Sequence, residues 1–299
     1  MSQGSVGIND GLIKSVEDTP TVSLTVVDGK LTGLIDAPDN HVIVKSLADF
    51  PSPIGNVITL QDNTTYLING SVNIGINTIV AGVKNDIVGT VRNNDKIIST
   101  TTGTMFTVDS TIINKTILSF NEVTLSCING TLLSCITSGI SFVQVAFSVI
   151  KIGGTLSNCT SFALRNSGFS NITTTGFNFT GTNNGNIRII ANIISNNAGI
   201  SFDLGTAIFK NILITNNVIT ENSSQTFLSG TTNGANVSIN ALVNGNTFTG
   251  VGNMFSTITV NDINWSILNN TGTANSYSII ISATQPTNPF ENTIWIKPT

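Results

Sequence analysis

The chain has 299 residues, a net charge of -4 and only 9% charged residues, against 40% hydrophobic ones. Ordinary soluble proteins carry about a quarter charged residues, and disordered chains combine high charge with few β-branched residues, so this chain is expected to fold. A pI near 4.8 and the lack of any Lys/Arg cluster exclude the basic footprint of a nucleic-acid-binding protein.

The opening MSQGSVGINDGLIKSVEDTP has no basic region followed by an apolar run, so export by a Sec-type signal peptide is not expected. Residues 1–40 follow no repeat and read as an attachment or capping segment. Within them SLTVVDGKLTGLI predicts a small hairpin around Asp28-Gly29. A stacked architecture needs such a cover, because an exposed strand edge pairs with other chains. From His41 the text changes: Pro51 and Pro53 mark a loop, and alternating strands follow.

Between Thr78 and Phe120 the segments IVAG, DIVGTV, KIIST, MFTV and INKTILSF succeed one another with short polar turns. Alternation of apolar and polar residues recurs there, and no window shows the apolar period of a helix. Leu125 to Ile150 carries no charge and is long enough to span a bilayer. Its Ser and Thr content, its β-branched bias and an internal echo (Gly130, Thr131, Leu132 and Cys135 against Gly154, Thr155, Leu156 and Cys159) argue for strands, and no membrane partner is expected. Cys127, Cys135 and Cys159 have no metal or redox spacing and read as small inward-facing residues, the last two on neighbouring coils.

The clearest repeat follows. NIRIIANIISNN, NILITNNVITEN, NVSINALVNGNTFTG and DINWSILNNTG align Asn186, Asn211, Asn236 and Asp262, a nearly constant step in the mid-twenties. Ile189, Ile214, Ile239 and Trp265 then fall on one face of successive strands, while Asn192, Asn217, Asn244 to Asn246 and Asn269 mark turns with left-handed backbone. Ser161, Phe162 and Leu164 extend the pattern backward by one such step. This periodicity predicts an all-β fold, a parallel β-helix (solenoid) over residues 41–283 with short non-repeating N- and C-terminal segments. Residues 284–299, with Pro286, Pro289 and Pro298, form a C-terminal tail whose TIWIKP, bearing Trp295, reads as a last strand.

The coil lengths and corner motifs such as NNVIT and GNTFTG resemble the right-handed parallel β-helices of the pectate-lyase-like superfamily. The lead-in SLADFPSPIGNVITLQDNTTYLINGSVNIG resembles that of β-helices in bacteriophage virion proteins, and ATQPTNPFENTIWIKP resembles the close of many phage tail and fibre proteins. The resemblance implies a homotrimer, contacts with other virion proteins, and a virion location after assembly in the host cytoplasm.

Lyases of the superfamily require acidic clusters for calcium with an Arg or Lys base, and its hydrolases two or three close carboxylates. Here Asp62, Asp86, Asp95, Asp109, Glu122, Asp203, Glu221 and Asp262 are mostly isolated, and Arg92, Arg165 and Arg188 are separately placed. Arg165 and Arg188 are separated by slightly less than one repeat, a spacing for neighbours on adjacent coils. The single His41 lies ahead of the coils and reads as an exposed loop residue, and Phe162, Phe169, Phe177, Phe179, Phe248 and Phe255 read as interior stacks. No catalytic, cofactor-binding or metal-binding residue and no cofactor is assigned. Three functions compete: a structural phage fibre, spike or head decoration with host surface polysaccharide as a candidate ligand; a tail-spike depolymerase; and a bacterial surface adhesin.

Overall fold

A computed structural model describes residues 22–27, 30–35, 40–109, 117–170, 172–196, 200–205, 207–221, 226–233, 239–250, 253–261, 263–272, 278–281 and 293–296. The chain is a parallel β-solenoid. One ladder is a 10-stranded parallel sheet running from Asn40–Val44 through Gly139–Val143, Ser161–Arg165, Asn184–Ile190 and Phe209–Thr215 to Ile263–Leu268. The remaining coil strands form a second, 16-stranded sheet. It contains two ladders, one through Ser71–Gly75, Gly168–Ser170 and Thr247–Gly250, the other through Thr78–Val80, Ile172–Thr180 and Asn253–Asn261. They count as one sheet because Thr124–Ile136 and Ala146–Ser157 run through the corner between them.

Each coil therefore has three faces, and side chains alternate between interior and surface along every strand. Phe162 and Leu164, Ile187 and Ile189, and Ile212 and Ile214 are all buried. Down the interior the rings of Phe120 and Phe142 stack at 5.1 Å, and those of Phe169 and Phe202 at 5.6 Å. Phe162, Phe177, Phe179 and Phe248 are also buried, as their positions predict. The side chain of Phe255 lies outside the described residues.

From the strand Ile117–Asn121 onward, the corner that leaves the 10-stranded sheet has one backbone solution, a single left-handed residue. Glu122, Gln144, Asn166, Ala191, Asn216, Gly245 and Asn269 occupy it, with φ between 49° and 65°. The N–H of Ala191 continues the ladder by donating to the Thr215 carbonyl at 3.0 Å, so the bend costs no hydrogen bond. The turn positions expected at Asn192 and Asn217 are corrected by one residue: the bends are at Ala191 and Asn216, and the two asparagines point inward, buried.

Register matches the repeat for the earlier coils and departs from it later. Ser161, Phe162 and Leu164 pair with Asn186, Ile187 and Ile189, and these with Asn211, Ile212 and Ile214. Ile214 then pairs with Val243, not Ile239, and Asn211 with Asn240, a longer step than the one from Asn186 to Asn211. The extra residues fall on two stretches of chain between one ladder and the next. The path from Thr220 to Leu228 is one position longer than that from Ser195 to Phe202, and the path from Leu228 to Ala241 three positions longer than that from Phe202 to Ile212. Stretches between ladders absorb insertions because only the ladders must keep their pairing.

The uncharged segment is likewise strand, and no helix among the described residues is long and apolar enough to cross a membrane. The register of its echo is corrected: Leu133, Ser134 and Cys135 pair with Gly154, Thr155 and Leu156, so Cys135 lies across from Leu156 and not from Cys159. Cys135 and Cys159 still meet on adjacent coils, Sγ to Sγ 3.8 Å, because Cys159 lies just beyond the following corner. Val22–Val27 and Lys30–Ile35 form the expected antiparallel hairpin, and Thr293–Ile296 pairs in parallel with Ser278–Ile281. The side chain of Trp295 lies outside the described residues.

Candidate binding face

The outward positions of the 10-stranded sheet make files at strand spacing, about 4.8 Å apart. One file holds Gly139, Ser161, Asn186 and Asn211; the next holds Ser141, Ala163, Arg188 and Leu213; a third holds Val143, Arg165, Ile190 and Thr215. Neighbours within a file interact where their chemistry matches, as Asn211 Nδ2 donates to Asn186 Oδ1 at 2.7 Å. At the corner Asn269 Nδ2 donates to Asn244 Oδ1 at 3.1 Å. Beyond the corner Thr220 and Thr249 share a hydroxyl hydrogen bond of 2.8 Å. The surface is a grid of hydroxyls, carboxamides and small apolar groups on a rigid frame.

Arg165 and Arg188 share this face, displaced by one coil and two positions: Arg188 pairs with Ala163 and Arg165 with Ile190. Arg188 is exposed, Arg165 half-buried, and Arg165 Nε is shielded from solvent without a hydrogen-bond partner. Spacing alone had placed them as neighbours on adjacent coils, and the ladder places them diagonally. Arg92 lies away from both, in the turn before Asp95.

The acids are spread over different structural duties. Asp62 Oδ1 accepts from Val83 N at 2.8 Å, Asp203 Oδ1 from Gly205 N at 3.0 Å, and Glu122 occupies a left-handed corner. Asp86 lies across from Thr65 and Ser119, and Asp109 across from Ile136. Asp95 is buried: Oδ1 accepts from Gly70 N at 2.8 Å, and Oδ2 from Thr90 N at 2.7 Å, Val91 N at 2.8 Å and the Thr90 hydroxyl at 3.1 Å. Burial pushes its carboxyl up, but the donors from Gly70, Val91 and Thr90 outweigh that and hold it below its ordinary 3.8. It ties the turn at residues 90–95 to the preceding coil. The Glu221 side chain and Asp262 lie outside the described residues. Among the described residues no three His, Cys, Asp or Glu side chains gather as metal ligands.

His41 is not in a loop but in the first strand of the sheet, exposed, opposite Thr65. Near that end a cleft of about 220 Å³ is lined by Val42, Asp49, Phe50, Pro51, Gln61 and Tyr66. Its floor is structural. Tyr66 Oη accepts from Gln61 N at 2.9 Å and its ring meets Phe50 at 5.5 Å. Asp49 Oδ2 accepts from Lys45 N and Ser46 N, at 2.9 and 2.8 Å, which lowers its carboxyl and closes the turn Leu47–Asp49.

The polar outward face was legible in the sequence only as an Asn/Thr/Ser-rich composition, because which polar residues face outward depends on register. In comparisons with protein-family models, curated proteins and solved structures, nothing matches this chain.

Proposed function

We propose that the chain is a structural protein of a bacteriophage virion, a rigid β-helical fibre, spike or capsid decoration whose outward face adheres to host surface glycans. The observation that supports this reading is the grid itself. Hydroxyl and carboxamide groups repeat at strand spacing on a face that carries few charges, as in the Asn186–Asn211 pair at 2.7 Å. Such groups exchange hydrogen bonds with sugar hydroxyls at little desolvation cost, and many weak contacts on a repeating surface add through avidity. The continuous ladder supplies the stiffness a projecting element needs.

The same reading includes a homotrimer. A rod with 9% charged residues that also exposes Ile43, Ile193 and Val218 gains by packing its faces against copies, with little charge repulsion to oppose it. Light scattering tests this. A mass near three times 31.4 kDa supports it, and a mass near 31.4 kDa at micromolar concentration overturns it.

The function itself is tested by labelling intact virions with an antibody to the chain, and by incubating the purified protein with host lipopolysaccharide or capsule. Labelled particles and retention on the glycan, with its size unchanged, support the adhesive reading. Sustained release of oligosaccharides would replace it with a depolymerase.

A further inference from the structure

We propose that Arg165 and Arg188 form a binding site for an acidic saccharide, one whose carboxylate or sulfate is held between the two guanidinium groups. The inference rests on the reading of this face as glycan-adhesive and names the class of glycan it takes.

Three observations carry it. The first is placement. Ala163 pairs with Arg188 and Ile190 with Arg165, so the arginines are diagonal neighbours on one outward face. Diagonal Cβ atoms on adjacent strands lie roughly 7–8 Å apart, within reach of one anion for two long side chains. The second is the lack of compensation. From Ile117–Asn121 to Phe209–Thr215 the paired outward positions of this sheet are Ile, Ser, Asn, Gly, Val, Ala, Leu and Thr apart from the two arginines, with no carboxylate. The exposed Lys210, at the start of the last of these strands, adds a further cation. Two like charges held on a rigid sheet repel, and an anion between them removes that cost. The third is Arg165 Nε, shielded from solvent and without a partner. A buried donor left unpaired is unfavourable, and a turn of the Arg165 side chain toward an incoming carboxylate or sulfate oxygen satisfies it.

The surroundings fit a sugar rather than a bare ion. Ser141, Ser161, Asn186 and Asn211 border the pair with neutral donors and acceptors, and the residue paired with Arg188 is the small Ala163. The net charge of -4 disfavours general attraction of polyanions, so retention of an acidic glycan requires a local site.

The test uses the full chain, immobilised, with polygalacturonate, dextran sulfate and neutral dextran as probes. R165Q and R188Q are compared with R92Q, and thermal melts check that all remain folded. The expected result is binding of polygalacturonate or dextran sulfate that weakens as salt rises, falls about tenfold or more in R165Q and in R188Q, and is unchanged in R92Q. The two acidic probes distinguish a carboxylate from a sulfate site. Acidic-glycan binding that is equal in all variants overturns this site while leaving the adhesive reading in place. Preference for neutral dextran does the same. Failure to bind any of the three probes, together with failure to bind host glycan, overturns both.

Discussion

Asn192 donates twice to Asn217 on the next coil: its backbone N and its Nδ2 both reach Asn217 Oδ1 at 2.9 Å. Asn217 repeats this toward Asn246, and Asn246 toward Asn270, at 2.8 to 3.0 Å. The other amide hydrogen of each goes to a strand carbonyl, Asn192 to Leu164 and Asn217 to Ile189. Buried carboxamides are costly unless every group is paired, and here the pairing is complete along the file.

Replacing Asn217 by Ala breaks that file in its middle. It leaves the backbone N and Nδ2 of Asn192 facing an absent acceptor and Asn246 Oδ1 without its side-chain donor. The expected loss is about 2–4 kcal/mol in denaturant melts, since several buried groups go unsatisfied at once. Asn186→Ala, which removes a carboxamide of the outer face, should change stability by less than about 0.5 kcal/mol.

Inward and outward positions alternate, so two adjacent substitutions separate the faces. Ile214→Asp buries an unpaired charge in the stack that links Ile189, Ile214 and Val243, with an expected cost of several kcal/mol, on the order of 4. Leu213→Asp, on the outer surface, should leave the melt within about 1 kcal/mol of the parent. Equal melts for the two would refute the register.

Glycine is required where coils approach closely. A Cβ on Gly176 would lie 1.8 Å from the Ser201 carbonyl oxygen, whereas one on Gly168 meets nothing within 4 Å. Gly176→Ala is expected to cost about 3 kcal/mol or more, because the obstacle is backbone of the next coil, and Gly168→Ala close to nothing. Comparative thermal melts decide this.

Asp95 makes stability depend on acid. Its folded carboxyl lies below its ordinary 3.8, so its contribution is complete above that value and is lost as pH falls through the lower folded value. Melts recorded downward from pH 5 should show the parent losing stability faster than Asp95→Asn, which starts less stable at neutral pH. Parallel curves would remove Asp95 from the acid response.

The thiols respond at the other end of the scale. The hydrogen bond from Cys135 to Cys159, together with burial, pushes the Cys135 thiol well above its ordinary 9.0. Its contribution to stability is therefore complete below pH 9.0 and declines as pH rises toward the folded value. Cys127, Cys135 and Cys159 are all buried, so iodoacetamide should label none of them at pH 8 until denaturant unfolds the chain. Labelling of the native chain at the rate of a free thiol would overturn that placement.

The solenoid was written in the sequence by local rules: β-branched alternation, Asn/Gly corners and a nearly constant step that survives in the pairing of Leu164, Ile189 and Ile214. Those features act within one coil, so one coil's residues carry them. Register between coils belongs to the tertiary structure. Only the ladder reveals that Ile214 meets Val243, since residues added between ladders shift numbering without shifting hydrogen bonds. The same holds for the asparagines, where composition marks corners but the left-handed residue is Ala191 or Asn216, and the residue after it turns inward to bond along the stack. Arg165 and Arg188 became one site for the same reason: sequence spacing brings two side chains to adjacent coils, and strand pairing sets their face and their offset.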